Sequence, residues 1–198
     1  ARMICAMTGA GPDLKENCML RNTEDTYGSV SRALHWLMAL LIIGMLAGGF
    51  LMGEFGRDNP LRPVLYSLHK STGSLLLLLI GLRLLWTLVN PKPRAIGDNG
   101  PANLLAKGVH IGLYLLMIGL PLSGYLLVAL GTSTKPFEFY GLFPLPKFSP
   151  NGDVREIAEE LHENLPWFAI ALIGLHIAGG LKRHFIERDG TLARMWRS

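Results

Sequence analysis

Charge is scarce in this sequence: 17% of its 198 residues are Asp, Glu, Lys or Arg, whereas an ordinary soluble domain carries roughly a quarter. A soluble globular domain is excluded as the first reading, and so are disorder, collagen and coiled coil. Cysteine is scarcer still. Its two copies, Cys5 and Cys18, lie in a polar N-terminal stretch with no CxxC or CxxCH. That excludes a disulfide framework, a zinc ribbon and covalent attachment of a c-type haem. The first 30 residues lack a continuous apolar stretch of roughly 7 to 15 residues, so no cleavable signal peptide is expected. Internal repeats and low-complexity blocks are missing as well. The net charge of +4 would suit nucleic acid, but the basic residues flank apolar runs. Membrane topology requires such flanks, and no nucleic-acid partner is expected.

What is present is apolar residue, 49% of the chain, clumped into runs of the length that crosses a hydrocarbon core of about 30 Å. Between Arg32 and Glu54, and again between Lys107 and Lys135, no Asp, Glu, Lys or Arg occurs. The stretch from Val64 to Asn90 is interrupted by Lys70 and Arg83 but holds the run Leu75 to Leu82, and the window after Glu163 stays uncharged until Lys182. The expectation is an all-α integral membrane four-helix bundle, with spans at about 32–54, 64–90, 104–130 and 157–184 in a domain of residues 31–190. A polar tail over 1–30 precedes it and a C-terminal tail over 191–198 follows. Pro136, Pro144, Pro146 and Pro150 punctuate the third connection beside Phe137, Phe139, Tyr140, Phe143 and Phe148, which reads as a loop at the membrane interface.

Lys and Arg near the span ends set the orientation. Arg21, Arg32, Lys92, Arg94, Lys107, Lys182, Arg183, Arg188, Arg194 and Arg197 fall on one side. Arg57, Arg62, Lys70, Lys135, Lys147 and Arg155 fall on the other, diluted there by Glu54, Asp58, Glu138, Asp153, Glu156, Glu159 and Glu160. Both termini are expected in the cytoplasm.

All six histidines, His35, His69, His110, His162, His176 and His184, sit in or at the edge of the spans, where an unpaired ionisable group is costly. A single one reads more readily as a hydrogen bond between helices; six together point to ligands. His162 and His176 are 14 residues apart in one span, which at about 100° per residue returns to within roughly 40° of the same face, about 21 Å further along. His69 lies level with His162, and His35 and His110 lie closer to His176, making two tiers. Zinc would recruit more ligands close together, so histidines on facing helices with apolar walls suit two bis-imidazole b-type haems instead. Gly73, four residues after His69, and Gly180, four after His176, leave room for a flat ring or allow close helix packing.

The segments SRALHW at 31–36, LHKSTG at 68–73, GVHIGLYLLMIGLPLSGYLL at 108–127, LHENLPW at 161–167 and GLHIAGGLKRHFIERDGTLARM at 174–195 resemble the bacterial cytochrome b561 family, from about residue 27 to the C-terminus. The resemblance implies a four-helix dihaem protein of the bacterial inner membrane, with haem ligation by His35 with His176 and by His69 with His162. It also implies electron transfer between a periplasmic reactant and the quinone pool, most concretely as a superoxide:ubiquinone oxidoreductase. The alternative it leaves is a cytochrome b anchor and electron-transfer subunit of a larger dehydrogenase or hydrogenase. His110 is a secondary candidate, lining a quinone pocket or bonding between helices. His184 reads as a surface residue. Arg83 follows His69 by 14 residues and faces the inner tier, where its guanidinium either grips haem propionates or snorkels to the headgroups.

Overall fold

The structure, a computed structural model, describes residues 20–56, 58–94, 96 and 100–196. Cys5, Cys18, Arg57, Arg197 and most of the expected N-terminal tail lie outside the described residues. The order of elements is α1 (Ser29–Glu54), α2 (Leu61–Val89), α3 (Pro101–Ala129), β1 (Phe137–Phe139), β2 (Phe143–Leu145), α4 (Gly152–Lys182), a π-helical turn (Arg183–Glu187) and α5 (Ala193–Trp196). Four helices are long and apolar enough to cross a membrane, the last running on through the π turn. The expected all-α membrane architecture stands, with one small hairpin added.

Each long helix begins three to five residues before the expected span, because hydropathy marks the hydrocarbon and polar caps mark the helix end. The Asn59 side chain accepts the Leu61 N–H at 2.9 Å and Asn151 accepts the Val154 N–H at 3.1 Å, satisfying donors that the first helical turn leaves open. Pro101 opens α3, where its missing N–H costs nothing. At the far end of α2, Asn90 folds back to donate to the Trp86 carbonyl at 3.0 Å, and Pro91 ends the helix. Many apolar side chains stay open, among them Leu40 at 71%, Leu88 at 81% and Leu104 at 72%. In water each would forfeit about 1.5–3 kcal/mol of burial; hydrocarbon covers them instead.

The described residues fall into two compact units. The first takes the chain up to Leu37, Gly81–Ile111 and the chain from Ile173 onward. Asn22 organises one side of it: its carbonyl oxygen accepts the Gly28 N–H at 2.9 Å and the Ser31 hydroxyl at 2.7 Å, and its amide donates to the Pro91 carbonyl at 3.0 Å. The C-terminal segment is held by Arg183, which donates to Ile96 O at 3.2 Å, to the Asp189 carboxylate at 3.2 Å and to the side chain of Asn103. The Trp36 indole donates to Met195 O at 2.9 Å. Burial by itself raises the Asp189 carboxyl, but hydrogen bonds from Thr191 and the charges of Arg183 and Arg194 outweigh it and hold the group below its ordinary value. The unfolded pKa is about 3.9, so this stabilisation is complete above about pH 4 and is lost as pH falls through the lower folded value. Fluorescence of Trp196, whose ring meets Trp36 at 5.2 Å, is expected to report release of the segment in acid. Asp189→Asn should remove that acid transition; an unchanged transition would mean another group controls it.

The second unit comprises Met38–Ile80 and Gly112–Leu172. The third connection, expected as an interfacial loop, carries an antiparallel hairpin with Phe137 opposite Leu145 and Phe139 opposite Phe143. Tyr140 at φ 49° and Gly141 at φ 73° turn its corner, closed by the Leu142 N–H on Phe139 O at 2.9 Å, a type I′ turn. Tyrosine is strained in this conformation and is tied on both sides. Its N–H donates to Ser71 Oγ at 2.9 Å and its hydroxyl pairs with Thr72 at 2.8 Å. The hairpin is thereby pinned to α2 one turn from His69.

Candidate haem-ligand centres

In the first unit, His35 of α1 and His176 of α4 have ring centroids 6.1 Å apart at 62°. In the second, His69 of α2 and His162 of α4 are 6.1 Å apart at 86°. Two metal–imidazole bonds of about 2 Å plus two ring half-widths of about 1 Å add to roughly 6 Å between centroids, so the spacing of either pair is compatible with two imidazoles that would hold one iron. His110 lies closer to His176, at 5.2 Å and 70°, which is short for sharing an iron in that way. Among the described residues no group of three or more His, Cys, Asp or Glu is placed to hold a metal ion. Each pair thus offers two nitrogens and calls for a cofactor that brings its own equatorial ligands, as a porphyrin does.

The environments of the two centres differ. His162 Nδ1 lies 3.0 Å from the Leu120 carbonyl oxygen and 3.2 Å from Ser123 Oγ, and the Ser123 hydroxyl donates to the same carbonyl at 2.8 Å. Gly124 makes the room: a Cβ there would stand 2.6 Å from His162 Cε1 and 3.0 Å from Nδ1. Gly49 of α1 approaches His69 more loosely, at 3.4 Å. Pro166 inside α4 has no N–H to give the His162 carbonyl, so one helical hydrogen bond is missing beside that histidine.

Arg83 of α2 sits beside the other centre, its Nη2 3.4 Å from His35 Nδ1. Arg32, one turn before His35 on α1, buries its Nε without a hydrogen-bond partner among the described residues. Arg83 beside His35, with Arg32 one helical turn before it in the chain, would suit an anionic cofactor edge such as a haem propionate. A Cβ on Gly73 would meet only Met45 Cε at 3.6 Å, and one on Gly180 would meet nothing within 4 Å. Close helix packing therefore does not explain either glycine. His110 is exposed and His184, against the Phe185 ring at 4.8 Å, is exposed too.

Leu120, Ser123, Gly124, Gly49 and Arg32 were not singled out from the sequence. A carbonyl has no residue signature, and the segment PLSGYLL at 121–127, although part of a stretch that resembles the family, marks no ligand partner until His162 is placed against it.

Paired histidines on apolar spanning helices, with ring centroids 6.1 Å apart, are an arrangement that suits a membrane cytochrome of b type. The sequence matches the prokaryotic cytochrome b561 family over residues 26–198, and the chain belongs to that family, as the segments quoted above indicated. Membership implies b-type haem, and four spanning helices in a prokaryotic family point to the inner membrane. The chain is 35% identical to "Cytochrome b561 homolog 2" of Escherichia coli (strain K12) over 176 residues, covering 88% of this chain and 93% of that one. It is 28% identical to "Cytochrome b561 homolog 1" of the same organism, over 82% and 92% of the two chains. It is 30% identical to "Probable superoxide oxidase CybB" of Yersinia pestis, over 85% and 94%.

Proposed function

We propose that this protein is a dihaem b-type cytochrome with both termini in the cytoplasm, carrying electrons from periplasmic superoxide to ubiquinone. The observation that carries the reading is the repeated 6.1 Å separation: His35 with His176 holds one haem, and His69 with His162 holds the other. When bound, each haem supplies reversible one-electron iron chemistry. Two superoxide anions each lose one electron and leave as dioxygen, and those two electrons with two protons from solvent convert one ubiquinone to ubiquinol. The relative from Yersinia pestis supports the choice of donor through its name.

The chain's own side chains supply the rest. Arg83 and Arg32 hold the propionate edge at the His35 centre. Gly73 and Gly180 leave space at the two ring faces, and the exposed imidazole of His110 hydrogen-bonds a quinone headgroup arriving from the bilayer. On the periplasmic side the expected six basic residues face seven acidic ones, so attraction of an anion is local. Lys70 adjoins His69 and holds its ammonium 5.8 Å from the Phe137 ring centre. The Arg62 guanidinium lies over Tyr66 at 5.5 Å, seven residues before His69, and Lys70 is the cation next to that histidine in the chain.

Rapid mixing with a superoxide source is expected to reduce the haems quickly in the wild type. The rate should slow with added salt, as steering is screened over a Debye length of about 10 Å at 0.1 M, and fall several-fold in Lys70→Glu. A purified protein that ignores superoxide but is reduced promptly by ubiquinol would overturn the proposed direction.

A further inference from the structure

We propose that the two centres are tuned to different potentials by the partners of one imidazole in each, the His69–His162 centre low and the His35–His176 centre high, with Ser123 as a positioning residue for His162. The inference rests on the reading that each pair holds a haem.

At His162 the decisive partner is a carbonyl. The Leu120 oxygen, 3.0 Å from Nδ1, has no proton to give, so Nδ1 carries the hydrogen and Nε2 keeps the lone pair that a metal needs. Ser123 is 3% exposed and does two things there. Its hydroxyl donates to the Leu120 carbonyl at 2.8 Å, and its oxygen stands 3.2 Å from His162 Nδ1, where its lone pair can accept the Nδ1 hydrogen. An imidazole that donates from Nδ1 to a buried oxygen gains basicity at Nε2 and pushes more electron density to the metal. Density supplied by an axial ligand favours the oxidised iron and lowers its potential.

At His35 the partner is a cation. The Arg83 guanidinium is permanently charged and has only donors, and its Nη2 stands 3.4 Å from His35 Nδ1. It can donate to Nδ1 only while the ring's proton is on Nε2. Once Nε2 is given to a metal the proton moves to Nδ1, and what Arg83 then contributes is positive charge. Charge of that sign beside the ligand withdraws density and favours the reduced iron. Two centres that look alike in their 6.1 Å geometry therefore differ in sign of tuning. Haem held by His69 and His162 would then be the electron donor and haem held by His35 and His176 the acceptor, in a one-electron exchange. Both rings keep their Nδ1 protons, so no proton moves with it.

Redox titration of the haem-loaded chain in lipid nanodiscs, followed by visible absorbance, tests this apart from any turnover. Two waves are expected, the lower one missing in His69→Ala and the higher one missing in His35→Ala. Ser123→Ala should move the lower wave upward and leave the higher in place, whereas Arg83→Leu should move the higher wave downward and leave the lower in place. A purely structural role for Ser123 would change haem content without moving a potential. Two waves in the reverse order, or a lower wave unmoved in Ser123→Ala, would overturn the inference alone; a wild-type chain that loads fewer than two haems would overturn the ligand reading on which it rests.

Discussion

Alanine at His162 or at His69 is expected to halve the haem content, from two per chain to one, and alanine at His35 or His176 to do the same at the other centre. The argument is geometric. Each pair spans 6.1 Å, enough for one iron between two imidazoles, and the pairs share no residue. Losing one ring leaves a single strong bond, and the apolar slot then gives up the cofactor or holds it in a changed, five-coordinate state. His69→Ala should therefore match His162→Ala in spectrum, and His35→Ala should match His176→Ala. His110 supplies the control, since its 5.2 Å approach to His176 is short for the same role. His110→Ala should keep two haems, and loss of one there, with His35→Ala unaffected, would mean that the first centre is paired wrongly.

Gly124→Val is expected to empty the His69–His162 centre almost as completely, with no change at a ligand. The new Cβ would lie 2.6 Å from His162 Cε1, 3.0 Å from Nδ1 and 3.3 Å from Nε2. The ring has to swing away, leaving the Leu120 carbonyl and taking Nε2 off the axis. A comparison with Gly112 separates this effect from general overpacking. A Cβ at Gly112 would stand equally close, 2.6 Å, to Leu172 Cδ1. There the obstacle is the end of a flexible side chain, so Gly112→Ala should cost about 1–3 kcal/mol of stability and leave both haems bound. Haem content and thermal stability measured on the two variants decide the matter; equal haem loss in both would reduce the Gly124 effect to a packing defect.

The spans were legible because charge disappears or thins out over the length a bilayer demands, completely between Lys107 and Lys135 and down to Lys70 and Arg83 in the second span. The histidine arrangement was legible in part. A separation of 14 residues puts His162 and His176 on one helix face by arithmetic, but which of His35 and His110 lies opposite His176 depends on helix rotation, and rotation leaves no local trace in a sequence. The partners of His162 were hidden for a related reason. Leu120 acts through its backbone 42 residues away, and Ser123 and Gly124 are small residues in a helix where small residues are common. The hairpin was missed because its turn places Tyr140 where Asn or Asp usually signals type I′ geometry. Tyrosine is held there by Ser71 and Thr72, contacts that only the folded chain supplies. Arg83 stands with its Nη2 3.4 Å from His35 Nδ1, a meeting that spacing alone could not separate from a headgroup contact.

Haem content with electron paramagnetic resonance of the oxidised wild-type chain, purified in lipid, tests the central claim most directly. Two b-type haems per chain, both low-spin as two imidazoles on each iron require, is the result predicted by the two 6.1 Å histidine pairs. One haem per chain, or a high-spin signal from an iron held by a single histidine, would contradict it.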